Sequence, residues 1–402
     1  MNQPPNSSLF KKVAELNIVI PNQNDTFPMI ENVIYLDNAT MNPIPKTTLR
    51  RMQEVMQRSI PSYDLSIHSI SREAADLLEQ AEVEICKWFG MEEGKIQWAP
   101  SRDFATNLAI RSMAKNRKVF MSMYDDLAIH GSSIAMQQKT VLVDERTMTW
   151  EEELAEKGEN EDIVVINQIS PALGTVRDIK KIIEIANDLG LKTVVDFSFS
   201  AGQFNVSSYL DEVSVAIIDG TKDLFGPIGS TILIDNTQIE RPIFMGTRNI
   251  LSYASPSEYQ INRKSLELGL PNLHSIVGLA QSIRFLSGIG RQAIADKRNE
   301  LVSKLEDVLT ERNDLLRPHI SYGQANFTEE KSPIQTFSFP KASAHDFALI
   351  SDEIFGLKVR SGLLCSHIAM KKLGWNDAVQ VSTHCYNTLE DIDFLQKAMD
   401  EF

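Results

Sequence analysis

Three cysteines in 402 residues are few. Cys86, Cys365 and Cys385 include no C-x-x-C pair, and an odd, scattered set suits neither a disulfide framework nor a structural zinc site. A reducing compartment is the simplest home for such a chain. Long apolar runs are missing too. The opening MNQPPNSSLFKKVAEL lacks the continuous apolar core of a signal peptide, and no later stretch reaches the roughly 18 apolar residues of a membrane span. Excess positive charge is also absent: 40 Lys+Arg against 54 Asp+Glu leave a net charge of −14. That balance argues against a nucleic-acid partner and against an anionic membrane, both of which call for a basic surface. The expectation is a soluble, cytoplasmic protein. Internal repeats and low-complexity segments are absent as well.

What is present reads as an ordinary globular chain, 43% hydrophobic and 23% charged, long enough for two or three domains of roughly 100–200 residues each. Residues 162–168 (DIVVINQ) form a short apolar run suited to a strand buried on both faces. Thr175 then opens a Thr-x-x-Asp helix-start signal, and Ile179, Ile182, Ile183, Ala186 and Leu189 recur at helical spacing up to Gly190. Three more β-branched runs follow at 192–196, 214–219 and 230–234. Alternation of this kind predicts an α/β domain with a mostly parallel sheet. Upstream, Ala74, Leu77, Leu78, Ala81, Ile85, Trp88 and Phe89 share a helical face that stops at Gly90. Downstream, two long helices within 278–309 and helices near 344–353 and 388–400 surround a mixed segment. The expected organisation is an N-terminal segment over 1–30, a large α/β domain over 31–270 and a smaller α+β domain over 271–402.

Ligands of an open parallel sheet collect at the carboxyl ends of its strands. Asp196 and Asp219 both end such strands. Lys222 lies just beyond Asp219 in the glycine-punctuated turn 220–229, where desolvation would lower its pKa and free the amine for Schiff-base chemistry. Each alone is more often a capping aspartate or a solvated turn lysine. Together they match what pyridoxal phosphate needs, a Schiff-base lysine and an acidic partner for its pyridinium nitrogen.

At this point the chain resembles a known family. The segment from Ile169 to Ile234, with Leu173-Gly174-Thr175, Val195-Asp196, Gly220-Thr221-Lys222 and Phe225-Gly-Pro-Ile-Gly229, is similar to the core of the class V aminotransferase superfamily of fold-type I pyridoxal-phosphate enzymes. The cysteine desulfurase and selenocysteine lyase branch is the nearest in pattern. Ile34–Thr40, Glu267-x-Gly-x-Pro-Asn272, Val359–Cys365 and Val381-Ser-x-x-x-Tyr-Asn-Thr388 agree in order. The resemblance implies a large domain with a mostly parallel sheet, a smaller C-terminal domain, a homodimer, an amino-acid substrate and, in the desulfurases, a sulfur-acceptor protein. It makes Lys222 the Schiff-base lysine, Asp196 the partner of the pyridinium nitrogen and Cys365 the thiol that takes up the substrate sulfur. Arg360 is the cation that would favour its thiolate.

Departures from the family pattern fall on the same pocket. The phosphate positions, usually small hydroxyls and a histidine, carry Arg102, Asp103, Asp219 and Thr221, and two carboxylates oppose a phosphate dianion unless neutralised. A threonine lent by the partner subunit aligns with Leu270. The stacking histidine aligns with Asp126, with His130 as a substitute if the loop is shifted. Phe199 stands for the glutamine beside the cofactor oxygen, Pro171 for an asparagine near the substrate, and Gln380 for the arginine that clamps the substrate carboxylate. The expected function is therefore a pyridoxal-phosphate enzyme of the cysteine desulfurase kind. The alternatives are another cofactor-dependent lyase, aminotransferase or epimerase, or a degenerate homologue serving as a binding subunit.

Overall fold

The fold is taken from a computed structural model, which describes residues 26–402 apart from 59–61, 63–64, 115, 137–138, 238, 240–242, 263, 265 and 319–326, and leaves the side chains of 135–136 undescribed. Most of the expected N-terminal segment thus lies outside the described residues.

A seven-stranded sheet forms the centre of the molecule. Its spatial order is Ile96–Ala99, Thr231–Asp235, Val215–Asp219, Lys192–Asp196, Ile163–Asn167, Val119–Ser122 and Thr140–Val143. The last five of these pair in parallel, and only Thr231–Asp235 runs against its two neighbours. The chain builds the parallel part because its strands are short β-branched runs buried on both faces, such as Ile163–Asn167 and Val215–Asp219. Each fully buried Val or Ile side chain contributes about 1.5–3 kcal/mol.

Helices cover both faces. Ser69–Phe89 starts at His68, whose side chain accepts the amide of Ser71, and ends at Gly90 in the left-handed conformation with φ 65°. It buries Ala74, Leu78, Ala81, Ile85 and Phe89 and packs against the helix Leu273–Ile289. Those two helices share one core with Val195, Ile218 and Phe225. A separate core joins Leu301, Leu305 and Val308 of the helix Arg291–Glu311 to Phe337, Val379, Val381 and Leu395 of the C-terminal part. Leu36 belongs to that second core, and Ile34–Tyr35 pairs in parallel with Leu357–Lys358. The N-terminal strand is therefore tied to the C-terminal layer.

One local expectation is corrected. Thr175 does not open a helix; it pairs with Ser170 in a two-residue strand, and Asp178 caps the helix Ile179–Asp188 by accepting the amide of Lys181. Asp is as good an N-cap as Thr, and the later of the two signals is the one with free amides beyond it.

Candidate active site

Three adjacent parallel strands end in a polar side chain at the same edge: Asn167, Asp196 and Asp219. This is the edge where sheet topology collects ligands. The helix Arg102–Met113 begins over it, capped by Ser101, whose hydroxyl accepts the amide of Phe104. That places Arg102 at the first helical position with its side chain running across the strand ends.

Arg102 is 5% exposed and makes four side-chain hydrogen bonds. Its Nε donates to Asp196 Oδ2 at 2.5 Å. Its two terminal nitrogens grip Asp126, at 2.6 Å to Oδ2 and 3.1 Å to Oδ1, and the second also donates to Asn167 Oδ1 at 2.7 Å. The guanidinium carbon lies 4.8 Å from the centre of the Phe199 ring. Burial pulls the guanidinium pKa down, but Asp126 and then Asp196 outweigh it and the pKa is raised. Asp126 is drawn below the ordinary carboxylate range: burial would raise it, and Arg102 outweighs burial. For Asp196 burial wins and its pKa is raised against the pull of Arg102 and of Ser198.

Lys222 lies in the short helical turn Gly220–Asp223, half-buried, with Nζ donating to the carbonyl of Thr40 at 2.5 Å. Burial, with Arg102 close by, lowers the amine pKa, and Asp219 and Asp126 partly restore it. Asp219 closes the strand before this turn, and its Oδ1 accepts the amide of Thr221 at 3.1 Å. Arg360 donates to Cys365 Sγ at 3.1 Å. Leu364 and Cys365 both have φ near +54° (53° and 54°), a left-handed pair held by the Leu127 amide on the Cys365 carbonyl at 2.8 Å. An exposed thiol is thereby presented beside a cation.

A cavity of about 290 Å³ lies here, with Asp103, Phe199, Asp219, Lys222, Arg360 and Cys365 in its walls; Asp196, buried and paired with Arg102, is not part of them. Of the residues singled out in the sequence, Thr221, Arg102 and Asp126 also line it. Gln380 does not. It is fully buried in the strand Ala378–Ser382 and donates to the carbonyl of Pro171 at 2.5 Å, so it has no reach toward a substrate carboxylate. His130 does not take over from Asp126 either, because it turns back into the fold and its Nε2 meets the Ser122 carbonyl at 2.7 Å. Leu270 is exposed.

The sequence reading missed Asn167, although it ends a strand at the right edge, and the buried group behind it. There Arg177 bridges Asp125 at 2.8 Å and Glu145 at 2.6 Å, and Asp125 also accepts from Asn167 at 3.0 Å. Among the described residues no cluster of three or more His, Cys, Asp or Glu is arranged to hold a metal ion. No described helix is long and apolar enough to cross a membrane.

Pyridoxal phosphate does not fit this arrangement. Its ring nitrogen would need a carboxylate oxygen of Asp196, and both are taken, Oδ2 by Arg102 Nε at 2.5 Å and Oδ1 by the Ser198 amide at 2.8 Å. Its phosphate would face the carboxylate of Asp219, which already takes the Thr221 amide.

The model of the family "Aminotransferase class-V" matches residues 34–395. A probable cysteine desulfurase of Methanothermobacter thermautotrophicus is 26% identical over 394 residues, covering 93% of this chain and 96% of that protein. One of Pyrococcus abyssi is 24% identical over 394 residues, covering 93% and 95%. Among solved structures, the apo cysteine desulfurase of Thermococcus onnurineus superposes with a TM-score of 0.82 at 25% identity, covering 94% of this chain and 96% of the other. A cysteine desulfurase of Escherichia coli gives 0.76 at 20% identity, a likeness of fold.

Proposed function

The chain belongs to the aminotransferase class-V family, and from that membership we propose that it is a cysteine desulfurase-like protein that binds a small polar ligand and carries out no pyridoxal-phosphate chemistry. The family depends in general on that cofactor. The observation that carries the proposal is the ion pair between Arg102 Nε and Asp196 Oδ2, at 2.5 Å, on the carboxylate that would otherwise partner the cofactor's ring nitrogen. Fold likeness alone does not bring the activity with it.

What the residues offer instead is a mixed cavity, apolar in part and carrying charged groups of both signs. Arg102 is spent on Asp126 and Asp196, so a ligand would meet Lys222 and Arg360 as cations and Asp219 and Asp103 as anions around a space of about 290 Å³. That volume sits at the small end of the range for ligand pockets. Lys222, with its pKa lowered by burial, is the group best able to give up or hold a proton there. Cys365 contributes a thiol whose partner is Arg360.

Self-association into a homodimer is part of the proposal. The antiparallel hairpin Ile250–Ser255 and Glu258–Ile261 exposes Leu251, Tyr253 and Tyr259, and Ile243, Phe244 and Met245 are exposed nearby in sequence. Large apolar side chains exposed together on one hairpin favour a partner.

Sulfide release from cysteine tests the functional reading. With added pyridoxal phosphate and a reductant, the protein is expected to release sulfide no faster than its Lys222→Ala variant. Sulfide release that is lost in both Lys222→Ala and Cys365→Ser would sink the proposal and establish a desulfurase.

A further inference from the structure

The departures from the family pattern meet in space as two complementary groups. Arg102 presents a flat cation, buried, hydrogen-bonded through Nε to Asp196 and lying 4.8 Å from the Phe199 ring centre. Asp126, at the position of a stacking ring in the family, grips the same guanidinium with both oxygens. Asp219, in the wall of the same cavity, places a carboxylate oxygen 3.1 Å from the Thr221 amide.

We propose that Arg102 and Asp219 form a built-in stand-in for the cofactor: the guanidinium replaces the ring and its cationic nitrogen, the carboxylate replaces a phosphate oxygen, and Arg102 decides what enters. The inference rests on the cofactor-free reading and adds that the old site persists beneath these two side chains. Three observations support that persistence. Lys222 keeps its place and a lowered pKa at the cavity wall. Asp196 stays at its strand end, with Oδ1 anchored by the Ser198 amide at 2.8 Å and Oδ2 bound by Arg102. Thr231, which lines the cavity, has a fully buried hydroxyl with no hydrogen-bond partner, a donor left over for a ligand oxygen.

Removing Arg102 alone leaves Asp126 and Asp196 buried without a cation, so the single variant can fail for structural reasons. Arg102→Thr combined with Asp126→His removes one charge of each sign and keeps the net charge of the group at minus one. The full-length protein, Arg102→Thr, the double variant, the double variant with Asp219→Ser, and the double variant with Lys222→Ala are incubated with pyridoxal phosphate, and in parallel with pyridoxal. In the opened site the Lys222 amine condenses with the aldehyde and one water leaves. Bound aldehyde is read by visible absorbance after gel filtration, and by the mass fixed on Lys222 after borohydride reduction.

The double variant is expected to retain roughly 10- to 100-fold more pyridoxal phosphate than the unmodified protein, the worth of one freed hydrogen bond to a charged group. Asp219→Ser should add to this for pyridoxal phosphate and leave pyridoxal unchanged, since only the phosphate meets that carboxylate. Lys222→Ala should abolish the fixed mass. A double variant that elutes and melts as a folded protein yet retains no more than the unmodified protein overturns the inference and leaves the cofactor-free reading standing. A visible band on Lys222 of the unmodified protein overturns both. If neither Arg102 variant can be recovered folded, Arg102 is a structural ion and the inference is wrong.

Discussion

At the scale of single residues, one side chain decides how this pocket reads. Asp196 and Lys222 were legible in the sequence because strand ends and glycine-punctuated turns have local signatures. The direction of Arg102 was not. Its partners lie 24, 65 and 94 positions away, so only the closed sheet brings them within reach, and the same residue reads from sequence as a charge at a phosphate position able to offset one of the carboxylates there. Gln380 failed for a similar reason: its strand buries it against Pro171 rather than turning it to the cavity.

Two outcomes follow at this scale. Arg102→Ala strands two buried carboxylates and should cost about 3–5 kcal/mol in denaturant unfolding; a loss under about 1 kcal/mol would mean the guanidinium is not the group's counter-charge. Asp125 gives a pH signature. Burial pushes its carboxyl up to about 7, against the pull of Arg177. A carboxyl with a raised folded pKa binds its proton more tightly when folded, so its contribution to stability is complete below about pH 4 and is lost as pH rises through about 7. Asp125→Asn should flatten stability over that window. An unchanged slope between about pH 4 and 7 would contradict this placement.

Among elements, the chain was legible where patterns are strong. The strands at 163–167, 192–196 and 215–219 and the helix Ser69–Phe89 follow their apolar spacing. What the sequence could not show is how loops lock against the turn that carries Lys222. Gly202 donates its amide to Asp223 Oδ2 at 2.7 Å, and a Cβ on it would sit 1.7 Å from the Asp223 carbonyl oxygen. Gly202→Ala therefore has to push this turn away, and about 1–3 kcal/mol of destabilisation is expected from the forced backbone shift. Lys222 should move with it, seen as a changed rate of labelling by an amine-reactive reagent. Unaltered stability and labelling would mean the turn is held by other contacts.

At the scale of the whole molecule, fold and family were readable from motifs spread over nearly the entire chain, and the family match over residues 34–395 agrees with them. The net charge of −14 reads from sequence as a statement about partners, with Asp103 and Asp219 set at phosphate positions. Folding adds Asp126 to these two in the wall of one cavity. The exposed hairpin carries a separate prediction. The protein should elute as a dimer with light scattering to match, and Leu251→Asp with Tyr253→Asp should shift it to monomer; a monomeric unmodified protein would refute the proposed self-association.

The account turns on whether Arg102 leaves room for the cofactor of its family. Titrating the purified full-length protein with pyridoxal phosphate, and following visible absorbance before and after borohydride, addresses this most directly. The expected result is the spectrum of free pyridoxal phosphate at every ratio and no mass fixed on Lys222. A saturable band that is present in the unmodified protein and absent from Lys222→Ala would contradict it.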